Sequence, residues 1–182
     1  MPKRKDKSMK TANEYDENLE DLMDCYHYQS DLTKKLDGVS SLDFDQALIN
    51  EIVLWKVNRY APLSPGILAA LNSLNNLEQG SHRDASLVIE NLLHTPGVDL
   101  SMASAILRFK NPKVFQIIDR HAYRAVYGKK YPLYPSSSHN KKIKVYFDYI
   151  DKLILLSEAK NIEFEILDRV LYVFDKKYNG KL

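Results

Sequence analysis

A single acidic residue, Asp119, lies within the most basic part of this chain. It follows the largely apolar run 115–118 and directly precedes a helical pattern, so its carboxylate would stand at the start of a helix. Residues 100–147 hold ten Lys and Arg and no other acid, a net charge of +9, whereas the rest of the chain carries −7. Such a concentration of positive charge is typical of a face that binds a polyanion. The positive surroundings also favour the ionised form of Asp119.

Five tyrosines are interleaved with these cations: Tyr123, Tyr127, Tyr131, Tyr134 and Tyr146. Aromatic rings among cations can stack on nucleic-acid bases. The alternative is a solvated basic surface with tyrosines in the core beneath it. The charge pattern favours nucleic acid over that alternative.

A tight turn separates two helical patterns just before this region. Pro96 cannot continue the first helix, and Gly97 permits a backbone geometry that bulkier residues resist. Small residues at 103–105 would let the second helix pack closely on the first. Backbone N–H groups at such a turn and helix start can bind a phosphate. An ordinary helical hairpin without a ligand fits the segment equally well.

The elements that would position these residues are helices throughout, so the predicted fold class is all-α. Apolar residues recur at threes and fours, and no alternating strand pattern occurs. Ser64-Pro65 predicts a helix start, and Ser81-His82-Arg83-Asp84 resembles a capping box. The predicted helices cover about 13–36, 43–58, 64–74, 100–109, 120–127, 141–156 and 162–177, with a further one after Ser81.

Taken together, Thr95-Pro96-Gly97-Val98, the small residues at 103–105 and Ile118-Asp119-Arg120-His121 resemble the helix-hairpin-helix DNA glycosylases of the endonuclease III superfamily. The motif match covers about 93–124, and the helical layout extends it loosely over 43–178. The resemblance implies two helical lobes with a cleft between them. Its expected parts are a basic flexible tail (1–12), a helical barrel (42–131) containing the helix-hairpin-helix (about 84–109), and a second lobe (13–41 plus 136–182).

The resemblance implies that Asp119 is the catalytic carboxylate. Breaking an N-glycosidic bond builds positive charge on the sugar, which a carboxylate can stabilise, or the carboxylate can deprotonate the attacking water. The damaged or mismatched base would first swing out of the duplex. Ser101 stands where bifunctional relatives carry a lysine, so a monofunctional hydrolase without a Schiff base is expected. Asp119 is also suited to cap the following helix, and both roles can hold at once.

The residues predicted to contact DNA lie at the hairpin, at the end of the second helix and from Asp119 onward: Thr95, Gly97, Asp99, Ser101, Lys56, Asn58, Arg59, Arg120, Arg124, Lys129 and Lys130. Asp99 replaces a hairpin glycine of the family, and its negative charge would face an approaching phosphate. His121 is expected to be a residue of the helix surface and not a proton shuttle. Trp55 is expected in the core.

The single cysteine, Cys25, excludes an internal disulfide and an iron–sulfur cluster. No metal ligand is predicted, and the resemblance allows only a monovalent cation at the hairpin. No apolar run approaches the roughly 18 residues of a membrane helix, so a cytoplasmic protein is expected. Its expected partner is DNA, with the protein nucleoid-associated when bound; a monomer is expected, although the sequence does not fix the oligomeric state. The alternatives are an inactive helix-hairpin-helix DNA-binding module and a protein-interaction domain whose basic face meets an acidic partner.

Overall fold

The structure, a computed structural model, describes residues 23–25, 29–39, 44–57 and 60–181, and all regular structure in these ranges is helical. The α-helices are α1 (Ser30–Asp37), α2 (Gln46–Lys56), α3 (Pro65–Ser73), α4 (Ser86–His94), α5 (Leu100–Lys110), α6 (Arg120–Tyr127), α7 (His139–Lys160) and α8 (Leu167–Tyr178). The predicted all-α class is therefore confirmed over the described part. None of the described helices is long and apolar enough to cross a membrane.

The chain divides into two compact units, with the boundary between Tyr60 and Ala61. In the first unit α1 and α2 are joined by the Trp55 indole, whose Nε1 donates to Thr33 Oγ1 at 2.8 Å. In the second unit α7 packs with α6 and with the two hairpin helices, α4 and α5, and α8 packs with α6. This division does not follow the boundaries drawn from the sequence, and the two lobes with a cleft stay a prediction. The tail 1–12 lies outside the described residues.

Helix α7 forms the centre of the second unit's core. Its buried residues Ile143, Tyr146, Phe147, Ile150 and Leu153 recur at threes and fours and so form one face. This face packs within one apolar cluster that also contains buried residues of α4, α5 and α8. The longest helix therefore contributes to the support of both the hairpin and the C-terminal helix.

The segment 115–118, which leads to Asp119, is non-helical and largely buried. Two tyrosines of α7 hold it, because the Tyr146 hydroxyl donates to Gln116 O and the Tyr149 hydroxyl donates to Ile117 O, each at 3.0 Å. From the other side, Ile118 N donates to Ser104 Oγ of α5 at 3.2 Å. Asp168 Oδ2 of α8 also accepts from Ile117 N at 3.4 Å. Buried backbone groups need such partners, so four side chains from three helices hold the chain just before the acid.

Most predicted helix positions agree with the structure, but the predicted helix 13–36 does not: among its described residues, 23–25 form a 3-10 turn and α1 begins only at Ser30. Ser64 caps α3 as predicted, since its Oγ accepts from Ile67 N. The prediction of a capping box at Ser81 is wrong, because the Ser81 hydroxyl forms hydrogen bonds with the backbone of Glu78. A 3-10 turn (His82–Ala85) then precedes α4. Helix α7 continues to Lys160, and α8 begins only after the 3-10 turn Phe164–Ile166.

Candidate functional site

An open pocket of about 380 Å³ brings the hairpin and Asp119 together. It is lined by the start of α5, the start of α6 and the loop between α6 and α7, through Asp99, Leu100, Ser101, Asp119, Arg120, His121, Tyr131, Leu133, Tyr134 and Pro135. Ligand pockets have volumes of roughly 300–1,000 Å³, so the space suits a small molecule. Four residues predicted as site residues, Asp99, Ser101, Asp119 and Arg120, share this pocket.

Asp119 is half-buried and is the N-cap of α6. Its Oδ1 accepts from Ala122 N at 2.7 Å, which satisfies one of the free N–H groups at the helix start. The cap leaves Oδ2 without a hydrogen-bond donor among the described residues. The capping role predicted from the sequence is thus confirmed, and one carboxylate oxygen of this pocket-lining residue is not used by the cap.

The hairpin turn takes the left-handed geometry that its glycine allows. Gly97 has φ of +82°, a region that residues with a Cβ rarely adopt. Asp99 caps α5, and its Oδ1 accepts from Leu100 N at 2.7 Å. This carboxylate therefore occupies part of the helix start at which the sequence placed a phosphate.

The charge of Asp99 is neutralised by a lysine that is distant in sequence. Lys142 Nζ lies 2.7 Å from Asp99 Oδ1 and also donates to Pro135 O at 3.0 Å. The Lys142 side chain is 6% exposed, whereas that of Asp99 is 55% exposed. A buried ammonium needs its partners, so the pair fastens α7 to the hairpin and lessens the repulsion predicted between Asp99 and phosphate.

Because Lys142 is buried and Asp99 is not, replacing Asp99 and replacing Lys142 should lower the free energy of unfolding by different amounts. Asp99→Ala removes the cap of α5 and leaves the Lys142 ammonium with one protein acceptor, so we expect a loss of about 2 kcal/mol in the free energy of unfolding. Lys142→Met keeps the apolar stem and leaves an exposed carboxylate, and should cost less. Urea unfolding of both variants measures the difference.

A control for this comparison is Lys144→Met, which breaks the exposed pair of Lys144 with Asp148 one turn along the same helix. Such pairs contribute about 0.5 kcal/mol or less. Equal losses for Asp99→Ala and Lys142→Met would contradict the assignment of Lys142 as the buried partner.

Ser104 links helix α5 to the segment that precedes Asp119. Its hydroxyl donates to Ser101 O at 2.9 Å and accepts from Ile118 N at 3.2 Å. It is fully buried, so both bonds are shielded from water. One side chain thus sets the first turn of α5 against the residue that precedes Asp119.

Two tyrosines form the aromatic part of the pocket. Tyr131 is half-buried and Tyr134 is 71% exposed. Burial, together with the carboxylates of Asp99 and Asp119, raises the pKa of Tyr131 to about 12. Tyr131 therefore keeps its proton near neutral pH and can donate a hydrogen bond in the pocket. Its ring also packs edge-on against Tyr123.

Behind the pocket, α6 is tied to α8 by the buried carboxylate of Asp175. His121 Nδ1 lies 2.7 Å from Asp175 Oδ2, and Arg124 binds both carboxylate oxygens at 2.8 Å. Asn179 Nδ2 donates to Oδ1 at 2.7 Å. The hydrogen bond from Arg124 is the main cause that holds the pKa of Asp175 well below its usual range. Asp175 is therefore a permanent anion at neutral pH.

Two of the predicted DNA contacts, Arg124 and Thr95, use their hydrogen-bonding groups within the protein. Arg124 uses four of its five N–H groups on Asp175 and on the carbonyls of Gly180 and Lys181. Thr95 is buried, and both its backbone N–H and its hydroxyl donate within α4, to Leu92 O and Asn91 O. These bonds argue against both residues as phosphate contacts and give them structural roles.

The other predicted contacts lie outside the pocket. Gly97, Lys129 and Lys130 are exposed on the second unit, and Lys56 is exposed at the end of α2 in the first unit. Asn58 and Arg59 lie outside the described residues. The DNA contacts of all of these stay predictions.

Some cations of the basic region (residues 100–147) are paired with carboxylates of the protein, so fewer are available to a ligand than the sequence suggests. Four of its ten cations are paired with carboxylates: Arg108 with Asp168, Arg124 with Asp175, Lys142 with Asp99, and Lys144 with Asp148. The six others have no carboxylate within 4.0 Å in the part of the chain that is described: Lys110, Lys113, Arg120, Lys129, Lys130 and Lys141. The positive charge available to a polyanion is therefore carried by these six.

Sequence reasoning missed the loop residues Tyr131, Leu133, Tyr134 and Pro135, the buried Lys142 and the acceptor Asp175. Tyr131 and Tyr134 had a signal, since they were among the tyrosines interleaved with cations. Lys142 and Asp175 had none, because charged residues on helices normally face solvent. His121 was expected on the helix surface, whereas the structure places it half-buried in the pocket lining.

Within the described ranges no three His, Cys, Asp or Glu side chains are grouped as metal ligands would be. At the hairpin, the carbonyls of Leu92 and Thr95 accept turn hydrogen bonds, and the Lys142 ammonium supplies positive charge beside Asp99. A monovalent cation at the hairpin stays a prediction, and none of the chemistry below depends on one. Compared with known proteins, the chain matches no family model, no curated protein and no solved structure.

Proposed function

We propose that this protein is a monofunctional DNA glycosylase that hydrolyses the N-glycosidic bond of a damaged or mismatched base. One observation carries the proposal: the hairpin helix start and the lone carboxylate of the basic region line one open pocket. The resemblance to helix-hairpin-helix glycosylases rests on the hairpin Thr95-Pro96-Gly97-Val98, the small residues at 103–105 and Ile118-Asp119-Arg120-His121, and Asp119 belongs to both the resemblance and the pocket. A pocket of about 380 Å³ with two tyrosines suits a flat base that has left the stack.

The chemistry assigns Asp119 to the sugar. As the bond between C1′ and the base nitrogen breaks, positive charge develops on the ring, and the unbonded Oδ2 of Asp119 can stabilise it. The other oxygen stays on Ala122 N and keeps the carboxylate in place. Ser101 has no amine with which to attack C1′, so water is the nucleophile.

The unpaired cations would hold the phosphodiester backbone. Replacing Lys129 or Lys130 by glutamine should weaken DNA binding about equally for all sequences, because phosphate contacts do not read bases. Each substitution should lower the slope of log Kd against log salt by about one. Titration of labelled duplex at several salt concentrations measures both effects.

Lys152→Gln is the matched control, since Lys152 is exposed on α7 but lies outside the basic region. It should leave the affinity and the slope unchanged. An equal effect of Lys152→Gln and Lys129→Gln would mean that DNA binding does not depend on the basic region.

The test of the function itself is a panel of duplexes, each with one modified or mismatched base. Release of a base by the wild type, with an abasic site left behind, supports the proposal. No release from any duplex, with salt-sensitive DNA binding retained, would contradict it and support the binding module. The cap that Asp119 provides for α6 favours this second candidate, because capping alone accounts for an acid at that position. Absence of DNA binding at low salt would instead support a protein-interaction domain.

A further inference from the structure

His121 combines two features that a surface residue of a helix does not need. It lines the same pocket as Asp119, on the first turn of α6. On its other side, Nδ1 lies 2.7 Å from Asp175 Oδ2, and Asp175 is fully buried. The ring is further fixed by an edge-on contact with Tyr172, with centroids 5.1 Å apart.

The partner of Nδ1 decides which ring nitrogen is basic. An ionised carboxylate only accepts hydrogen bonds, so Nδ1 must carry the hydrogen in the bond with Asp175. In the neutral ring the lone pair is then on Nε2. Nε2 has no protein partner in the described part of the chain and is not buried. A buried carboxylate thus orients an imidazole whose free nitrogen is a proton acceptor, the arrangement used by histidine bases.

Asp119 has one oxygen available and two tasks to meet. The first is to stabilise the positive charge on the sugar, and the second is to take a proton from the attacking water. Oδ1 is held by Ala122 N, so both tasks would fall to Oδ2. A second acceptor in the same pocket allows the two tasks to be divided.

We propose that His121, held by Asp175, accepts the proton of the attacking water while Asp119 stabilises the sugar cation; this rests on the hydrolytic function proposed above. Water oxygen forms a bond to C1′, and one water proton moves to His121 Nε2. The bond between C1′ and the base breaks with its electron pair on the base nitrogen, which takes a proton from solvent. His121 then returns its proton to solvent, and the sum is addition of one water.

The test uses the full-length chain and a duplex that the wild type cleaves. His121→Asn keeps an N–H that can donate to Asp175 but has no group in place of Nε2. We expect single-turnover excision to slow on the order of 100-fold, with an unchanged Kd for DNA. His121→Ala should regain part of its rate when imidazole is added, because the added base can occupy the vacated space.

Asn179→Ala is the matched control. It removes another hydrogen bond of Asp175 and leaves His121 intact, so excision should stay near the wild-type rate. Urea unfolding of each variant establishes that the proteins compared are folded. Rescue by imidazole separates proton transfer from a purely structural effect.

The outcomes are distinct. Wild-type rates for His121→Asn, a loss confined to Kd, equal losses for Asn179→Ala and His121→Asn, or no rescue by imidazole would each overturn the role of His121 while the glycosylase function stands. No excision by the wild type on any duplex overturns both.

Discussion

Replacing Asp119 by asparagine is expected to slow base excision on the order of 10³–10⁴-fold while DNA affinity and folding stability stay nearly unchanged. Asparagine caps helices about as well as aspartate, so the bond to Ala122 N can persist. What is lost is the negative charge that would face the sugar cation. Single-turnover excision, DNA titration and urea unfolding together measure the three quantities.

Asp119→Ala is the informative comparison, because it removes both the charge and the cap. Its unfolding free energy should fall by about 1 kcal/mol relative to Asp119→Asn, with a similar loss of excision. If Asp119→Asn excises bases at the wild-type rate, Asp119 is a helix cap and nothing more, and its catalytic assignment is wrong although the excision activity stands.

The second large effect concerns folding. Asp175→Ala is expected to lower the free energy of unfolding by about 3 kcal/mol, because it removes a fully buried anion and leaves Arg124 without its counter-charge. The variant also loses the hydrogen bonds from His121 and Asn179. Urea unfolding at neutral pH measures the loss. Asp148→Ala is the control, since Asp148 forms an exposed pair with Lys144; a similar loss for both variants would contradict a special role of Asp175.

The lowered pKa of Asp175 also predicts that the free energy of unfolding falls at acid pH. The pKa of Asp175 is lowered in the folded protein, chiefly by Arg124, whereas an unfolded aspartate has a pKa of about 3.9. The folded state therefore binds fewer protons, and this contribution is fully present above about pH 4 and is lost as the pH falls further. Unfolding free energies measured from pH 6 down to pH 2 should fall less steeply for Asp175→Ala than for the wild type.

Local sequence signals predicted the helix caps at Ser64 and Asp119 and the turn at Gly97. Ser64, Gly97 and Asp119 act through residues within three or four positions of themselves, so the turn geometry and the caps could be inferred from neighbouring residues. Ser81 shows the limit of such signals, because its hydroxyl bonds to Glu78 instead of starting a helix. The resemblance to a glycosylase family, and the catalytic role that it implies, stay predictions.

The partners of the charged residues were beyond local reasoning. Lys142 meets Asp99, and Arg124 meets Asp175, across stretches of more than forty residues. These contacts depend on how α7 and α8 pack, and helical periodicity does not specify packing between helices. The basic region was therefore overestimated as a free surface: charge counts from the sequence cannot tell an unpaired lysine from one that serves as a counter-ion.

The hydroxyls of Tyr146 and Tyr149 in α7 hold the stretch before Asp119. These bonds limit how far the chain can be shortened. The hairpin and Asp119 lie close together in the sequence, so a short fragment that contains both could be considered for study on its own. A fragment that ended before Tyr146 would lack both hydroxyls that bond to the carbonyls of Gln116 and Ile117, and the stretch before Asp119 would keep only the bond to Ser104 from the α5 side. A piece that preserves both tyrosine bonds must therefore extend at least through Tyr149.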